Sequence, residues 1–302
     1  MAFLGIPYAA PPVGALRWNA PRPVAAWGGT RKAVAYGPSC PQLPAHWLPD
    51  APWNEDCLFL NVFTTDLAPG AKRPVILWLH GGSNRNGNAQ YNRIGEPLAR
   101  QGAVVVGINY RLGPLGFLAH PALSAESPHH ASGNYGLLDQ LQALRWVRDN
   151  ISRFGGDPQS VTLMGQSAGA YDACLLMASP LAAGLFHRAI LQSGDCQGTL
   201  NMDLRSTLRY NALPTSGEAA GERLVRALGI GSEAGSETGL DTTAARLRAV
   251  PVETLLKAWA SDPAIQLDAV VDGWILPAQP AAIFAAGKQA HVPVIVGSVR
   301  CV

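Results

Sequence analysis

The run Val161-Thr-Leu-Met-Gly-Gln-Ser-Ala-Gly-Ala-Tyr171 sets Ser167 between two glycines at Gly-x-Ser-x-Gly spacing, directly after an apolar segment. A serine hydroxyl is a weak nucleophile at neutral pH and must be activated. This pattern is that of a nucleophile elbow, a tight strand-to-helix turn that pushes a serine out at the top of a sheet. Gly165 and Gly169 lack the Cβ atoms that would clash where strand and helix close up. Ala168, at the helix start, would turn its backbone N–H toward a developing oxyanion. A second apolar run, Pro74-Val-Ile-Leu-Trp-Leu-His80, leads into Gly81-Gly82-Ser83-Asn84. The N–H groups of Gly82 and Ser83, freed by glycine to point inward, would add two donors, each worth about 3 kcal/mol in the transition state. His80 reads as a residue that orients this loop and not as a base. The chemistry these residues could perform is acyl transfer through a covalent serine intermediate.

Such a serine needs a sheet beneath it. Leu58 to Phe63, Pro74 to His80, Ala103 to Asn109, Val161 to Met164, Arg188 to Gln192 and Pro293 to Val296 are short apolar runs of the kind buried on both faces of a sheet. Between them lie helical patterns. Leu137, Leu141, Leu144, Val147 or Arg148, and Ile151 follow the helical period, and Gly155-Gly156 ends that helix. Alternation of this kind predicts an α/β fold with a mostly parallel, doubly wound sheet and helices on both faces. Residues 1–54, rich in proline and tryptophan, predict an irregular arm over a sheet edge. Gly229 to Gly239 reads as a loop, and residues 198–290 read as a helical cap inserted over the sheet. Residues 1–302 are expected to form one domain.

The composition narrows the partners. Of 302 residues, 48% are hydrophobic and 15% charged, which suits a large core. Lys and Arg number 23 against 21 Asp and Glu, a net charge of +2, which points to neither nucleic acid nor an anionic membrane. No apolar stretch reaches the 18 residues of a transmembrane helix, and the N-terminus lacks the basic and apolar regions of a signal peptide. No cysteine or histidine spacing suggests a metal, and the chemistry calls for no cofactor. Cys40 and Cys57 flank a Pro/Trp-rich loop and read either as a disulfide or as two buried thiols. Cys174, Cys196 and Cys301 lie scattered. Trp18, Trp27, Trp47 and Trp53 are as suited to packing the arm as to lining a substrate gorge, and Asp139 and Asp157 read as structural.

Taken together, the motifs resemble the type-B carboxylesterase family. They are Gly5-Ile-Pro-Tyr-Ala-Ala-Pro-Pro-Val-Gly14 with Arg17-Trp18, Glu55-Asp-Cys-Leu-Phe-Leu-Asn-Val62, His80-Gly-Gly82, Asn109-Tyr-Arg-Leu-Gly113 with Gly116-Phe117, Gly133-Asn-Tyr-Gly-Leu-Leu-Asp139, Phe154-Gly-Gly-Asp-Pro158, Gly165-Gln-Ser-Ala-Gly169 and Gln192-Ser-Gly194. The resemblance spans residues 3 to 300. It implies the α/β-hydrolase fold, hydrolysis of small carboxylic esters, Ser167 as nucleophile, and Gly82, Ser83 and Ala168 as oxyanion donors. It also implies a Cys40–Cys57 disulfide, which favours a periplasmic or secreted protein, and a structural Arg17–Glu55 ion pair. Gln166 stands where the family has glutamate, and Ser83 where a third glycine is common.

In this fold class the partners of the serine follow it in the order acid, then histidine. After Ser167 only His187 and His291 occur, each just before a strand and so at the end of the sheet away from an active site. The chain stops at Val302, around where the resemblance places the acid. The expectation is a domain lacking its C-terminal part, and alone a poor esterase. A non-catalytic binding or adhesion module, or an inactive truncated product, is the alternative.

Overall fold

The computed structural model describes residues 1–48, 52–68, 70–90, 94–196, 203–205, 208–210, 213–230 and 239–298. Seven strands form one sheet: β1 (Ala2–Pro7), β2 (Phe59–Phe63), β3 (Arg73–Leu79), β4 (Val104–Ile108), β5 (Gly156–Gln166), β6 (Arg188–Gln192) and β9 (Val294–Gly297). A small hairpin of β7 (Leu208–Tyr210) and β8 (Leu213–Thr215) stands apart. The sheet order is β1-β2-β4-β3-β5-β6-β9. Strands β4, β3, β5, β6 and β9 run parallel, and β2 and β1 add antiparallel pairings at one side. This is the mostly parallel α/β sheet expected from the alternation of strands and helices, and the α/β-hydrolase fold that the resemblance implies. The chain runs from β3 outward to β4, then returns to lay β5 on the other side of β3. Ligand crevices in open parallel sheets form at such a reversal, beyond the carboxyl ends of the strands.

The central strands carry Val75, Leu77, Leu79, Val104, Val106, Ile108, Val161 and Leu163 at 0% exposure, which is why they read as unbroken apolar runs. Helices cover them: α1 (Gly95–Arg100), α2 (Gly113–Phe117), α3 (Pro121–Glu126), α4 (Tyr135–Asn150) and α5 (Ala168–Ala178). In α4 the periodic set resolves in favour of Val147, buried together with Leu137, Leu141, Leu144 and the following Ile151. At the far edge, Val294, Ile295 and Val296 of β9 are exposed.

Two expectations need correction. The first 54 residues are not wholly irregular, because Ala2 to Pro7 pair antiparallel with β2, with a register shift between Phe3 and Ile6. Gly5 at φ +68° sits in that shift, and a Cβ there would come within 2.5 Å of Ala35 O. The cysteines also pair more fully than the sequence suggested: Cys40–Cys57 is a disulfide, and so is Cys174–Cys196. The loop read at Gly229 to Gly239 lies mostly outside the described residues.

Residues beyond β6 contribute α6 (Gly217–Ala227), α7 (Gly239–Ala249), α8 (Val252–Ser261) and α9 (Pro280–Ala285). Leu224, Leu255, Leu256 and Trp259 join the same apolar cluster as the sheet. Arg17 binds across to them, donating to Val250 O at 2.7 Å and forming a bidentate pair with Glu55 (2.7 and 2.5 Å). A second bidentate pair, Arg111 to Asp139 (2.8 and 2.7 Å), is almost fully buried and joins the segment after β4 to α4. Removing one partner of such a pair strands a buried charge. Asp139→Asn should therefore cost about 3 kcal/mol of unfolding free energy, read by urea denaturation. Asp157, by contrast, makes a local contact at the start of β5, accepting from Gln159 N at 2.9 Å.

Candidate functional site

The strand β5 ends at Gln166, and the chain turns into α5 through Ser167, whose φ of 53° and ψ of −123° are rarely adopted by residues with a side chain. The surroundings enforce that turn. A Cβ on Gly165 would lie 2.1 Å from Gly169 O, and one on Gly169 would lie 2.2 Å from Leu79 O. Ser167 N donates to Gln192 O at 2.8 Å, and Ser193 N donates to Gly297 O at 2.7 Å, so the carboxyl ends of β5, β6 and β9 are stitched together. The Cys174–Cys196 disulfide then ties α5 to the segment after β6.

Next to this turn lies the loop after β3. A Cβ on Gly81 would sit 2.8 Å from Gln166 O and 3.1 Å from Ser167 Cβ, so only a glycine allows the two loops to approach this closely. Gly82 has φ +121° and Ser83 φ +54°. Among the described residues, the N–H groups of Gly82, Ser83 and Ala168 have no acceptor. Gly82 and Ser83 join Ser167, Gln166, His80, Gly87, Asn88 and Trp47 around a cavity of about 280 Å³. Of the four N-terminal tryptophans it is Trp47 that lines the cavity with the serine, while Trp18 is buried elsewhere, Trp53 packs against the core and Trp27 is exposed.

Several residues that hold this loop were not evident from the sequence. Gln42 clamps it, donating to Gly87 O (2.9 Å) and accepting from Gly87 N (2.7 Å). Tyr110 donates to His80 O at 2.7 Å and stacks on its ring at 4.4 Å. Asn84, at φ +55°, donates to Asp172 Oδ1 at 2.9 Å, and Gln140 donates to Asp172 Oδ2 at 2.5 Å. Only the unusual place of Asp172, five residues past Ser167 on an otherwise apolar helix, could have flagged it.

His80 is buried, and burial pushes its imidazole down to about 4, so the ring is neutral at pH 7. Its Nδ1–H donates to Gly81 O at 2.9 Å, which suits a residue that orients the loop. His187 accepts from Val161 N at 3.2 Å, beside the start of β6, and His291 contacts Gly287 O at 3.0 Å, ahead of β9. Both stand at the amino ends of the strands, away from Ser167. Among the described residues no group of three His, Cys, Asp or Glu could hold a metal, and no helix is long and apolar enough to cross a membrane.

The carboxylesterase family model matches residues 1 to 300. The chain belongs to the carboxylesterase family. Among relatives, fumonisin B1 esterase of Sphingopyxis macrogoltabida is 40% identical over 299 residues, covering 98% of this chain and 52% of the relative. Para-nitrobenzyl esterase of Bacillus subtilis is 39% identical, covering 98% of this chain and 58% of its own. A solved PNB esterase structure superposes with a TM-score of 0.82 at 36% identity, covering 99% of this carboxylesterase-family chain and 59% of the solved one. The chain thus spans little more than half the length of these relatives.

Proposed function

We propose that this chain carries the acyl-transfer site of a carboxylic-ester hydrolase, with Ser167 as nucleophile and the N–H groups of Gly82, Ser83 and Ala168 as oxyanion donors. The observation that supports this best is the strained Ser167 backbone, beside three N–H groups that have no acceptor among the described residues, at the reversal of the sheet. Strain of this kind costs about 1–3 kcal/mol and persists where the surrounding structure over-determines it. In the reaction Oγ attacks the ester carbonyl carbon, and the carbonyl oxygen takes up negative charge among the three donors. The C–O bond to the alcohol then breaks, and the Oγ proton ends on the departing alcohol. Water repeats the sequence on the acyl-serine to release the acid.

The relatives' names point to substrates as unlike as fumonisin B1 and p-nitrobenzyl esters. What those names share is an ester linkage, so we assign the class, a small-molecule carboxylic ester, and no particular member. Residues 198–290 serve in this reading as a cap. Trp259 supports it, lying where a Cβ on Gly113 would come within 2.8 Å of its ring.

Labelling with an alkyl fluorophosphonate tests the assignment, because its fluoride leaves easily and demands little of the proton acceptor. Mass spectrometry should find one adduct on Ser167, absent in Ser167→Ala. An intact, folded chain that takes up no probe would instead support a binding module.

A further inference from the structure

The turn that carries the candidate oxyanion donors also presents a cation. The N–H groups of Arg85 and Asn86 both reach Gly82 O, at 2.9 and 3.1 Å, so backbone bonds fix the turn. The Arg85 side chain is exposed but held from two sides. Its guanidinium lies 5.4 Å over the Trp259 ring and donates to Gln266 Oε1 at 3.2 Å. Among the described residues it forms no ion pair. Its field reaches the buried Asp268 without contact.

Arg85 lines a cleft of about 310 Å³ with Leu43, Pro44, Trp259, Ile265 and Gln266. The carboxylate that also lines it, Asp262, is already engaged by Arg223 at 2.5 Å and by Ala264 N at 3.0 Å. This cleft and the Ser167 cavity have no lining residue in common but draw on the same two segments. The turn 82–88 sends Gly82, Ser83, Gly87 and Asn88 to the cavity and Arg85 and Asn86 to the cleft. The loop held by Cys40–Cys57 sends Trp47 to the cavity and Leu43 and Pro44 to the cleft. With His80 neutral, the cavity wall itself carries no charge. Arg85 is a nearby cation, and its Cα can be no more than about 7 Å from that of Ser83.

A guanidinium presents five N–H donors in a planar fork that matches a carboxylate, and stacking on an aromatic face leaves the fork edge open. We propose that Arg85 determines specificity by anchoring a carboxylate on the ester substrate, whose apolar arm lies against Leu43, Pro44, Trp259 and Ile265 while the ester carbonyl sits at Ser167. This rests on Ser167 being the acyl acceptor.

Two fluorophosphonates of equal chain length, one ending in methyl and one in carboxylate, separate the alternatives. The carboxylate probe should label wild-type Ser167 about tenfold faster at low ionic strength, as one charge-assisted contact would give. Arg85→Gln should erase the preference and Arg85→Lys restore part of it, with the methyl-probe rate changed by no more than about twofold, since Arg85 makes no contact with Ser167. A preference that is absent in wild type, or that survives in Arg85→Gln, overturns the proposal. Should neither probe label the wild type, the Ser167 reading fails, and calorimetry with octanoate judges the anion site alone. Binding that weakens about tenfold in Arg85→Gln supports it. No binding to wild type, or equal binding to both, overturns it.

Discussion

Gly82→Ala is expected to slow acylation of Ser167 by about three orders of magnitude while leaving the fold intact. The new Cβ would lie 1.8 Å from Asn86 O and 2.9 Å from Asn86 Oδ1, closer than any real contact. The first of these is backbone, fixed by the turn in which Asn86 N and Arg85 N bind Gly82 O. Neither side can yield by rotating a side chain. The φ of +121° adds strain of about 1–3 kcal/mol for a residue with a Cβ. The loop must open, and in opening it moves the N–H groups of Gly82 and Ser83 together. Losing one oxyanion donor costs about 10²–10³ in rate, so misplacing two reaches the stated figure even after partial relaxation. The core is untouched, because Gly82 lies on a loop at the rim of the sheet. Gly28→Ala is the control, since nothing lies within 4 Å of its Cβ position. Rates of fluorophosphonate labelling, taken with urea denaturation of both variants, decide the matter. A Gly82→Ala rate within about threefold of wild type would remove this loop from the oxyanion assignment.

The same geometry explains why some of the molecule could be read from its sequence and some could not. Buried parallel strands show as unbroken apolar runs because both faces are covered, as in β3, β4 and β5, and the runs at β6 and β2 also coincide with strands. The run at β9 marks a strand as well, but Val294, Ile295 and Val296 lie exposed at the sheet edge and not buried on both faces as the run suggested. The elbow is legible for a steric reason: the small residues it needs fall within five positions of one another, and two of them, Gly165 and Gly169, would come within 2.2 Å of a backbone atom if given a Cβ. Strand β1 escaped notice because a shifted register and prolines break its pattern. The Cys174–Cys196 disulfide escaped because it closes only after α5 has packed back beside β6. Residues that brace the site are the least legible. Gln42 meets Gly87 across 45 positions, and Asn84 meets Asp172 across 88. Their side chains are ordinary polar groups until the fold makes them neighbours.

Asp172 carries the second large expectation. Between about pH 4 and 7 it should remove roughly 4 kcal/mol of stability as pH rises, and Asp172→Asn should cancel that loss. Burial pushes its carboxyl up to about 7 from an ordinary 3.8, against the opposing hydrogen bonds from Asn84 and Gln140 and with a further push from Asp268. Tyr110, whose phenol burial keeps protonated, is the other titratable group within its field. The folded chain therefore binds a proton here across a range in which the unfolded chain has released it. Stability from this group is full below about pH 4, declines through the interval, and is gone above about pH 7. His80 and His120 act in the opposite sense, because burial holds both near 4 and the unfolded chain protonates them first. The wild-type profile is the sum of these slopes, so it is the difference between variant and wild type that isolates Asp172. Relative to wild type, Asp172→Asn should gain steadily from pH 4 to 7 and level off above, measured by denaturant unfolding at half-unit steps. Asparagine keeps an acceptor for Asn84 and adds no charge, so the variant should fold at every pH tested. Parallel profiles would mean that the carboxyl titrates as in the unfolded chain, and that Asn84 is braced beneath the oxyanion loop by an ionised group at neutral pH. A difference that shifts in the variant's favour from pH 4 to 7 would mean the reverse: near neutrality the brace is gaining a buried negative charge.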